Sequence, residues 1–204
     1  MSEEALDLRF YGRCPSYLES EKYHAVRLSQ EKLSAGFKEL DVDGDGLLGS
    51  SDIQLLIQNH GSAYGYSENT EEYQDLARRT LAVWDQLKQF DSDGDGLVSL
   101  EEYVAGFDEF LSRSDMFMGN MTALVDAFYA VADRNMDGQI TEDELILHFR
   151  AWSHSEEQAK VAFTRLDRNK KGAISKAEWM ANLEEYYFSE DPEAPGNWLA
   201  PLPE

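Results

Sequence analysis

Apolar positions recur every three or four residues in four separate stretches, each followed by a short acidic segment that contains glycine. The periodic positions ahead of these segments are Leu33, Phe37 and Leu40; Leu81, Trp84, Leu87 and Phe90; Leu124, Val125, Phe128 and Ala132; and Ala159, Phe163 and Leu166. This spacing places the apolar side chains on one face of a helix. Because the periodicity resumes after each segment, the pattern predicts four helix–loop–helix units and eight main helices.

The four acidic segments share one design. They begin at Asp41, Asp91, Asp133 and Asp167, and each carries an apolar residue seven positions later, at Leu48, Val98, Ile140 and Ile174. Such residues can pair as short strands between neighbouring loops. The predicted fold class is therefore all-α and compact, with the four units in two pairs and short two-stranded β contacts between paired loops.

The boundaries of the units follow from the same pattern. We divide the chain into an N-terminal extension at 1–15, a first pair of units at 16–111, a second pair at 112–188 and a C-terminal tail at 189–204. The tail holds four of the five prolines and is predicted to be irregular. Residues 112–120 are predicted to link the two pairs.

Two local signals refine the first unit. Ser16 and Glu19 have the spacing of a capping box, which indicates that 16–40 form one long helix. Residues 60–65 include two glycines, which predict a break in the helix that leaves the first loop, with His60 at the helix end.

Three of the loops have the composition of calcium sites. Calcium takes six to eight oxygen ligands, and a 12-residue loop supplies them from positions 1, 3, 5, 7, 9 and 12 around a glycine at position 6. The predicted ligands, with position 7 contributing its carbonyl, are Asp41, Asp43, Asp45, Leu47 and Asp52; Asp91, Asp93, Asp95, Leu97 and Glu102; and Asp133, Asn135, Asp137, Gln139 and Glu144. Ser99 and Thr141 stand at position 9 of the second and third loops. We therefore predict three bound Ca²⁺ ions.

Two loops depart from this pattern. Asp52 stands at position 12 of the first loop, where glutamate is usual. Because aspartate is one methylene shorter, we expect a tighter site with fewer ligands and a weaker preference for calcium over Mg²⁺. The fourth loop keeps Asp167, Asn169 and Glu178, but Lys171 at position 5 offers an ammonium without a lone pair. We expect the fourth loop to hold no ion at ordinary calcium concentrations.

The charge of the chain excludes several classes of partner. Its 204 residues include 18 Lys and Arg against 40 Asp and Glu, a net charge of −22. Nucleic acid and anionic membrane surfaces repel such a chain. There is no apolar run long enough for a membrane span, and Met1 to Glu4 do not begin a secretory signal. We expect a cytoplasmic protein, a monomer or weak dimer, with no internal disulfide because Cys14 is the one cysteine.

The layout resembles that of the sarcoplasmic calcium-binding proteins of the EF-hand superfamily, and more distantly that of calexcitins, coelenterazine-binding proteins and photoproteins. Four features carry the resemblance, which covers roughly residues 25–202: the wide gap between the first two loops, Asp52, the altered fourth loop and the ending from Tyr186 to Leu202. It implies a compact cytosolic calcium and magnesium buffer whose tail folds back over the core. No catalytic constellation is evident, so we expect no enzymatic activity.

Two other functions stay open at this point. The first is a calcium sensor with a protein target, because Met116, Met118 and Met121 cluster between the pairs, although no target site is evident. The second is a luciferin-binding protein or photoprotein, because the relatives that enclose coelenterazine line it with His, Trp and Tyr. Besides ten Tyr, the chain has four Trp and four His: Trp84, Trp152, Trp179, Trp198, His24, His60, His148 and His154. We favour the interpretation that the aromatic residues form the core, with His148 as a core histidine.

Overall fold

A computed structural model describes residues 30–112, 117–189 and 191–200 of the chain, with side chains throughout except at 110–121 and 188. The predicted capping box at Ser16, most of the predicted helix over 16–40 and the side chains of the methionine cluster lie outside the described residues.

Eight α-helices are present in the described chain, as the apolar periodicity predicts. They are α1 (Gln30–Leu40), α2 (Ser50–Tyr64), α3 (Glu71–Leu87), α4 (Leu100–Ser112), α5 (Phe117–Ala132), α6 (Glu142–Ala151), α7 (Glu156–Leu166) and α8 (Lys176–Phe188). Short 3₁₀ turns at Lys88–Phe90 and Pro195–Trp198 follow α3 and α8. The four loops lie between consecutive helices, and we number them loop 1 (41–52), loop 2 (91–102), loop 3 (133–144) and loop 4 (167–178).

Four short strands join the loops in pairs. Strand β1 (Leu47–Leu48) runs antiparallel to β2 (Val98–Ser99), and β3 (Gln139–Thr141) runs antiparallel to β4 (Ala173–Ser175). The register places Leu48 opposite Val98 and Ile140 opposite Ile174. The predicted pairing of loop 1 with loop 2 and of loop 3 with loop 4 is therefore confirmed.

Side-chain caps begin several of the helices. Thr70, Thr141, Ser155 and Ser175 each accept a hydrogen bond from the backbone N–H three residues later. In α6 and α8 the third helical residue is also the last residue of the preceding loop, Glu144 or Glu178, and its carboxylate returns to the cap. The residue that closes each of these loops thus also starts the helix that leaves it.

Helix α5 connects the two halves of the interior. Its Leu124, Ala127 and Val131 belong to a buried cluster formed mainly by the first pair, whereas Val125 and Tyr129 belong to the cluster of the second pair. A helix that is apolar on most of its surface is buried on most sides. The two pairs therefore pack against one another through α5 rather than standing apart.

Two predicted helix boundaries are wrong. Helix α2 does not end at His60: it continues to Tyr64 and ends at Gly65, whose φ of 72° is left-handed. Gly61 lies inside the helix, and the ring of Tyr73 packs so closely there that a Cβ would lie 2.5 Å from it. The predicted linker at 112–120 is also too long, since α5 already begins at Phe117.

The C-terminal segment lies against α8 and α1. Gly196 approaches α8 so closely that a Cβ would lie 2.1 Å from the Asn182 carbonyl oxygen. Lys32 Nζ donates to Asn197 Oδ1 at 2.7 Å. Trp198 and Leu199 pack on the core cluster of the second pair. This segment closes one end of the interior.

Candidate metal centres

All four loops turn at a glycine in position 6. The Gly46, Gly96, Gly138 and Gly172 N–H groups donate to the position 1 carboxylates of Asp41, Asp91, Asp133 and Asp167 at 2.9, 3.0, 2.9 and 2.8 Å. The φ angles of these glycines lie between 82° and 87°, where a Cβ is disfavoured. The backbone of the loop is thus the same whether or not its side chains suit an ion.

Positions 3 and 5 of loops 1 to 3 are folded inward by backbone donors. The bonds are Asp45 N to Asp43 Oδ1 (3.1 Å), Leu47 N to Asp45 Oδ1 (2.8 Å), Asp95 N to Asp93 Oδ1 (3.1 Å), Leu97 N to Asp95 Oδ1 (2.8 Å), Asp137 N to Asn135 Oδ1 (2.9 Å) and Gln139 N to Asp137 Oδ1 (2.9 Å). In loops 1 and 2 the position 1, 3 and 5 carboxylates bring oxygens within 4.8 Å of one another. Uncompensated carboxylates repel at this distance, and a divalent cation removes that cost.

The position 12 carboxylate ties the two ends of each loop together. In loop 2, Glu102 accepts from Ser92 N at 3.0 Å and from Ser99 N at 2.9 Å, and the hydrogen bonds from Ser99 and Ser92 lower its pKa to about 2. In loop 3, Glu144 accepts from Asn135 N at 3.2 Å and from Thr141 N at 2.9 Å. A group that stays ionised at every physiological pH is suited to a cation.

Asp52 performs the same closure in loop 1 with a shorter side chain. It is 1% exposed and accepts from Val42 N at 2.9 Å and Gly49 N at 2.9 Å. The aspartate therefore reaches both ends of its loop, as the glutamates do.

Position 1 provides a test of whether the loops fit a cation. Asp41 Oδ1 and Asp133 Oδ1 are buried and accept no hydrogen bond from the described residues. Burial raises the pKa of Asp133, the nearby charges of Glu144 and Asp137 act in the same direction, and the backbone N–H groups of Gly138 and Met136 offset only part of this rise. A buried carboxylate oxygen without a donor is costly, and a cation supplies the missing partner. The carboxylate oxygens of these two loops thus suit a hard divalent ion as ligands.

Loop 4 satisfies its carboxylates internally. Asp167 accepts from Lys171 N at 3.2 Å and Gly172 N at 2.8 Å, so both of its oxygens have donors. Glu178 Oε1 accepts from the Asn169 side-chain amide at 2.6 Å. Burial raises the pKa of Glu178, but hydrogen bonds from Ser175 and Asn169 outweigh it and the net shift is downward. Asp91 of loop 2 is paired in the same way, with Gly94 N at 2.7 Å and Gly96 N at 3.0 Å, so loop 4 differs from loop 2 in having Lys171 rather than an oxygen ligand at position 5.

A buried polar chain between the two pairs had no signal in the sequence. His60 Nδ1 donates to Leu56 O at 2.9 Å, which leaves its Nε2 to accept from His148 Nδ1 at 3.2 Å. His148 Nε2 then accepts from Trp152 Nε1 at 3.2 Å. Burial lowers the pKa of His60 to about 4 and that of His148 well below its ordinary value. Both rings are therefore neutral, and the predicted role of His148 as a core histidine agrees with its contacts.

A small, mainly apolar cavity lies beside the hydrogen-bonded side chains of His148 and Trp152. Its volume is about 120 Å³, and its wall includes His148, Trp152, Trp179, Tyr187 and, from the tail, Leu199. Trp179 is 5% exposed, and its Nε1 has no hydrogen-bond partner among the described residues. The cavity is thus lined mainly by apolar and aromatic side chains, and one of them, Trp179, carries a buried N–H without a partner among the described residues.

Comparison with known families finds one superfamily along the chain. The family described as "EF-hand domain pair" matches residues 30–108, and the family described as "EF hand" matches 124–149 and 160–183. Together these ranges cover more than half of the chain. They contain all four loops, including loop 4. Across the described residues, no helix has the length and apolar character needed to cross a membrane.

The individual proteins that the chain resembles share about a quarter of the aligned residues with it. Calerythrin of Saccharopolyspora erythraea is 25% identical over 164 residues, 79% of this chain and 93% of that protein. The luciferin-binding protein of Renilla reniformis is 24% identical over 184 residues, 85% of this chain and 91% of that protein. The calcium-loaded apo form of the coelenterazine-binding protein of Renilla muelleri superposes with a TM-score of 0.70 at 22% identity, covering 89% of this chain and 97% of that chain. The last comparison shows a shared fold.

Proposed function

The chain belongs to the EF-hand family, and from this premise we propose that it is a cytosolic calcium buffer with three working sites in loops 1, 2 and 3, at which Mg²⁺ competes. The observation that carries the proposal is the convergence of carboxylate oxygens in loops 1 and 2, to within 4.8 Å of one another. The unpartnered Asp133 Oδ1 extends the same argument to loop 3.

The residues that hold the ions are the predicted ones. They are Asp41, Asp43, Asp45, Asp52 and the Leu47 carbonyl; Asp91, Asp93, Asp95, Glu102 and the Leu97 carbonyl; and Asp133, Asn135, Asp137, Glu144 and the Gln139 carbonyl. A bound divalent ion supplies positive charge that offsets the carboxylates. The loop backbone fixes the oxygens through the glycine turn and the position 12 closure, so little rearrangement is needed on binding.

A buffer role is favoured over a sensor role by the state of the interior. A sensor exposes an apolar groove for its target when calcium binds. Here the C-terminal segment covers one end of the interior, with Trp198 and Leu199 packed on the second core and Gly196 in close contact with α8. A target peptide would have to displace this segment. We therefore propose no protein target, and a chain that acts as a monomer or weak dimer.

Calorimetric titration of the full chain with calcium, with and without millimolar magnesium, tests the proposal. We expect three ions per chain and a lower apparent calcium affinity when magnesium is present. Binding of no ion would contradict calcium binding altogether, and binding without any effect of magnesium would contradict the mixed buffer. A hydrophobic dye that brightens strongly with calcium would instead indicate a sensor.

One observation favours a second function, the binding of an apolar luciferin. The interior cavity is lined by His148, Trp152 and Trp179, and the Renilla reniformis relative is named for luciferin binding. The size of the cavity weighs against it. At about 120 Å³ it is well below the roughly 300–1,000 Å³ of sites for drug-sized ligands. Coelenterazine titration followed by tryptophan quenching decides the matter, with Trp179→Phe as the variant that removes the free donor. Tight binding that weakens in Trp179→Phe would support a luciferin-binding protein.

A further inference from the structure

The end of α5, which leads into loop 3, is held by side chains from the first pair. The Arg79 guanidinium of α3 donates to Ala130 O and, at 2.9 Å, to Asp133 O. The Tyr64 hydroxyl of α2 donates to Val131 O at 2.8 Å. The last carbonyls of a helix have no hydrogen-bond partner within that helix. Side-chain donors from other helices can therefore fix the position of its end. Position 1 of loop 3 is thus placed from the other half of the molecule.

Position 2 of loop 3 strengthens this connection. Arg134 donates to Tyr64 O at 3.1 Å and to the Tyr66 hydroxyl at 3.1 Å. Its guanidinium lies 5.2 Å from the centre of the Tyr66 ring, within the range of a cation–π contact. The start of loop 3 and the end of α5 therefore accept hydrogen bonds from the first pair and also donate hydrogen bonds to it.

The matching part of loop 4 is held within its own unit. The Leu166 carbonyl at the end of α7 accepts from Asn182 Nδ2 of α8 at 2.9 Å. Arg168 at position 2 donates to Asn182 Oδ1 at 2.8 Å and pairs with Glu185 at 2.7 Å. Of these two helix ends, only the one before loop 3 accepts hydrogen bonds from the first pair among the residues that the structure describes.

Arg79 is built into its place. Its side chain is 11% exposed, and its Nε lies 3.0 Å from Asp75 Oδ2 one turn earlier in α3. This contact is an ion pair without a hydrogen bond, and the two hydrogen bonds to the carbonyls both come from Nη1 of the same guanidinium. The position of α3 is thereby transmitted to the backbone of Asp133.

Helices α2 and α3 are also parts of the first two sites, since α2 leaves loop 1 and α3 enters loop 2. We propose that Arg79 is a positioning residue for loop 3 that couples its ion affinity to the occupancy of loops 1 and 2. An ion in either of those loops fixes α2 or α3, and Arg79 and Tyr64 pass that constraint to the start of loop 3. The coupling is reciprocal, so an ion in loop 3 also favours binding in the first pair. The inference rests on the proposed function, because it needs ions in these loops.

The test uses the full chain and follows each loop separately by amide NMR during a calcium titration. The Gly46, Gly96 and Gly138 N–H groups report the three loops, since each bonds the position 1 carboxylate of its own loop. Arg79→Met is expected to weaken loop 3 about tenfold, within the roughly 5- to 150-fold range of such couplings. It is also expected to speed hydrogen exchange at Gly138 N–H without metal.

Arg78→Met is the matched control. Arg78 is the preceding residue of α3, carries the same charge and pairs with the same Asp75 at 2.9 Å, but its side chain is 65% exposed. Its substitution is expected to change loop 3 affinity by less than about twofold, as for an exposed ion pair. Equal effects of the two substitutions would show that charge alone is responsible and would overturn the inference.

A double-mutant cycle separates coupling from a merely structural role. Glu102→Gln weakens loop 2, and we expect it to lower the affinity of loop 3 severalfold in the native background and to have little effect in Arg79→Met. An equal effect of Glu102→Gln in both backgrounds would overturn the coupling. Tyr64→Phe, which removes only the hydroxyl bond to Val131 O, is expected to weaken loop 3 in the same direction by a smaller factor. It serves as the test variant if Arg79→Met fails to fold.

The outcome also distinguishes this inference from the proposed function. A chain that binds three ions, each indifferent to the others and to Arg79→Met, retains its function and loses the coupling. A chain in which none of the three glycine resonances moves with calcium loses both.

Discussion

Loops 3 and 4 are partners in one β contact, but of these two only loop 3 has a buried position 1 oxygen that accepts no hydrogen bond from the described residues. Both begin Asp-Arg-Asn, both carry glycine at position 6 and both end in glutamate. In loop 3 the carboxylate of Asp137 accepts from Gln139 N and from the Asn135 amide, and Asp133 Oδ1 is left buried without a donor. We therefore expect a bound cation to stabilise loop 3 more than loop 4.

In loop 4 the same framework is satisfied from within. With lysine at position 5, the Asn169 amide donates to Glu178, and Asp167 takes two backbone N–H groups. The glycine turn, the strand and the cap of α8 are all retained. Loop 4 thus keeps the shape of an ion-binding loop although position 5 holds a lysine, and we expect this lysine to remove its capacity for an ion.

The prediction with the largest expected effect removes a proposed ligand from loop 3 and compares it with the same change in loop 4. Glu144→Gln removes the closing carboxylate from loop 3 and is expected to lower its calcium affinity at least about 100-fold, because affinity follows the charge count of the ligands. Glu178→Gln makes the same change in loop 4 and should leave the stoichiometry unchanged. Calorimetry of both variants measures this. A loss of one ion in Glu178→Gln would mean that loop 4 binds calcium.

The next effect runs in the opposite direction. Lys171→Asp restores an oxygen donor at position 5 of loop 4 and is expected to add a fourth ion, with a dissociation constant in the range of about 10⁻⁵ M or tighter. Lys170→Asp is the control, since it makes the same charge change at the neighbouring position, which supplies no ligand. Four tight ions in the unmutated chain would refute the expectation, as would a gain of one ion in Lys170→Asp.

A third prediction concerns stability without metal, where the two position 1 residues should respond with opposite signs. Asp133→Asn removes a buried charge whose oxygen lacks a donor, so the metal-free chain should melt higher, by about 2–4 °C for about 1 kcal/mol. Asp167→Asn replaces a carboxylate that accepts two N–H groups and should melt lower by a similar amount.

Thermal unfolding in the presence of a chelator gives both values. In saturating calcium Asp133→Asn should melt lower than the unmutated chain rather than higher, because it loses stabilisation by a bound ion. If both variants melted lower without metal, the claim that loop 3 carries an uncompensated charge would be wrong.

Much of this architecture could be predicted because it is local. The loop pattern fixes the glycine turn, the closing carboxylate and the apolar residue that pairs the strands, all within twelve residues. Helix α2 shows where local reasoning fails. Glycine costs about 1 kcal/mol inside a helix, so Gly61 indicated a helix end. That cost is offset by the ring of Tyr73, which packs where a Cβ would be, and nothing near Gly61 in the sequence announces it.

The connections between the halves were missed for the same reason. His60 and His148 are 88 residues apart, and Arg79 is 54 residues from Asp133. Each of these residues has a plausible local role on a helix face, so a single sequence gives no reason to join them. The side-chain amide of Asn169 is a subtler case: its nitrogen donates to Glu178, whereas that of Asn135 at the same position of loop 3 donates to Asp137, and the residue type alone does not distinguish these partners.

The smallest expected effect moves the comparison from position 5 to position 12. Asp52→Glu gives loop 1 the closing residue that loop 3 has, and the longer side chain should favour calcium, which accepts more oxygens at longer distances than magnesium does. We expect the ratio of calcium to magnesium affinity at loop 1 to rise by a factor of about ten or less, since Asp52 is 1% exposed and the extra methylene must be accommodated. Magnesium competition followed at Gly46 N–H measures the ratio, and Asp52→Asn, which should weaken both ions, is the control. An unchanged ratio in Asp52→Glu would mean that selectivity at loop 1 is set by its position 1, 3 and 5 carboxylates, and position 12 would then serve only to close the loop.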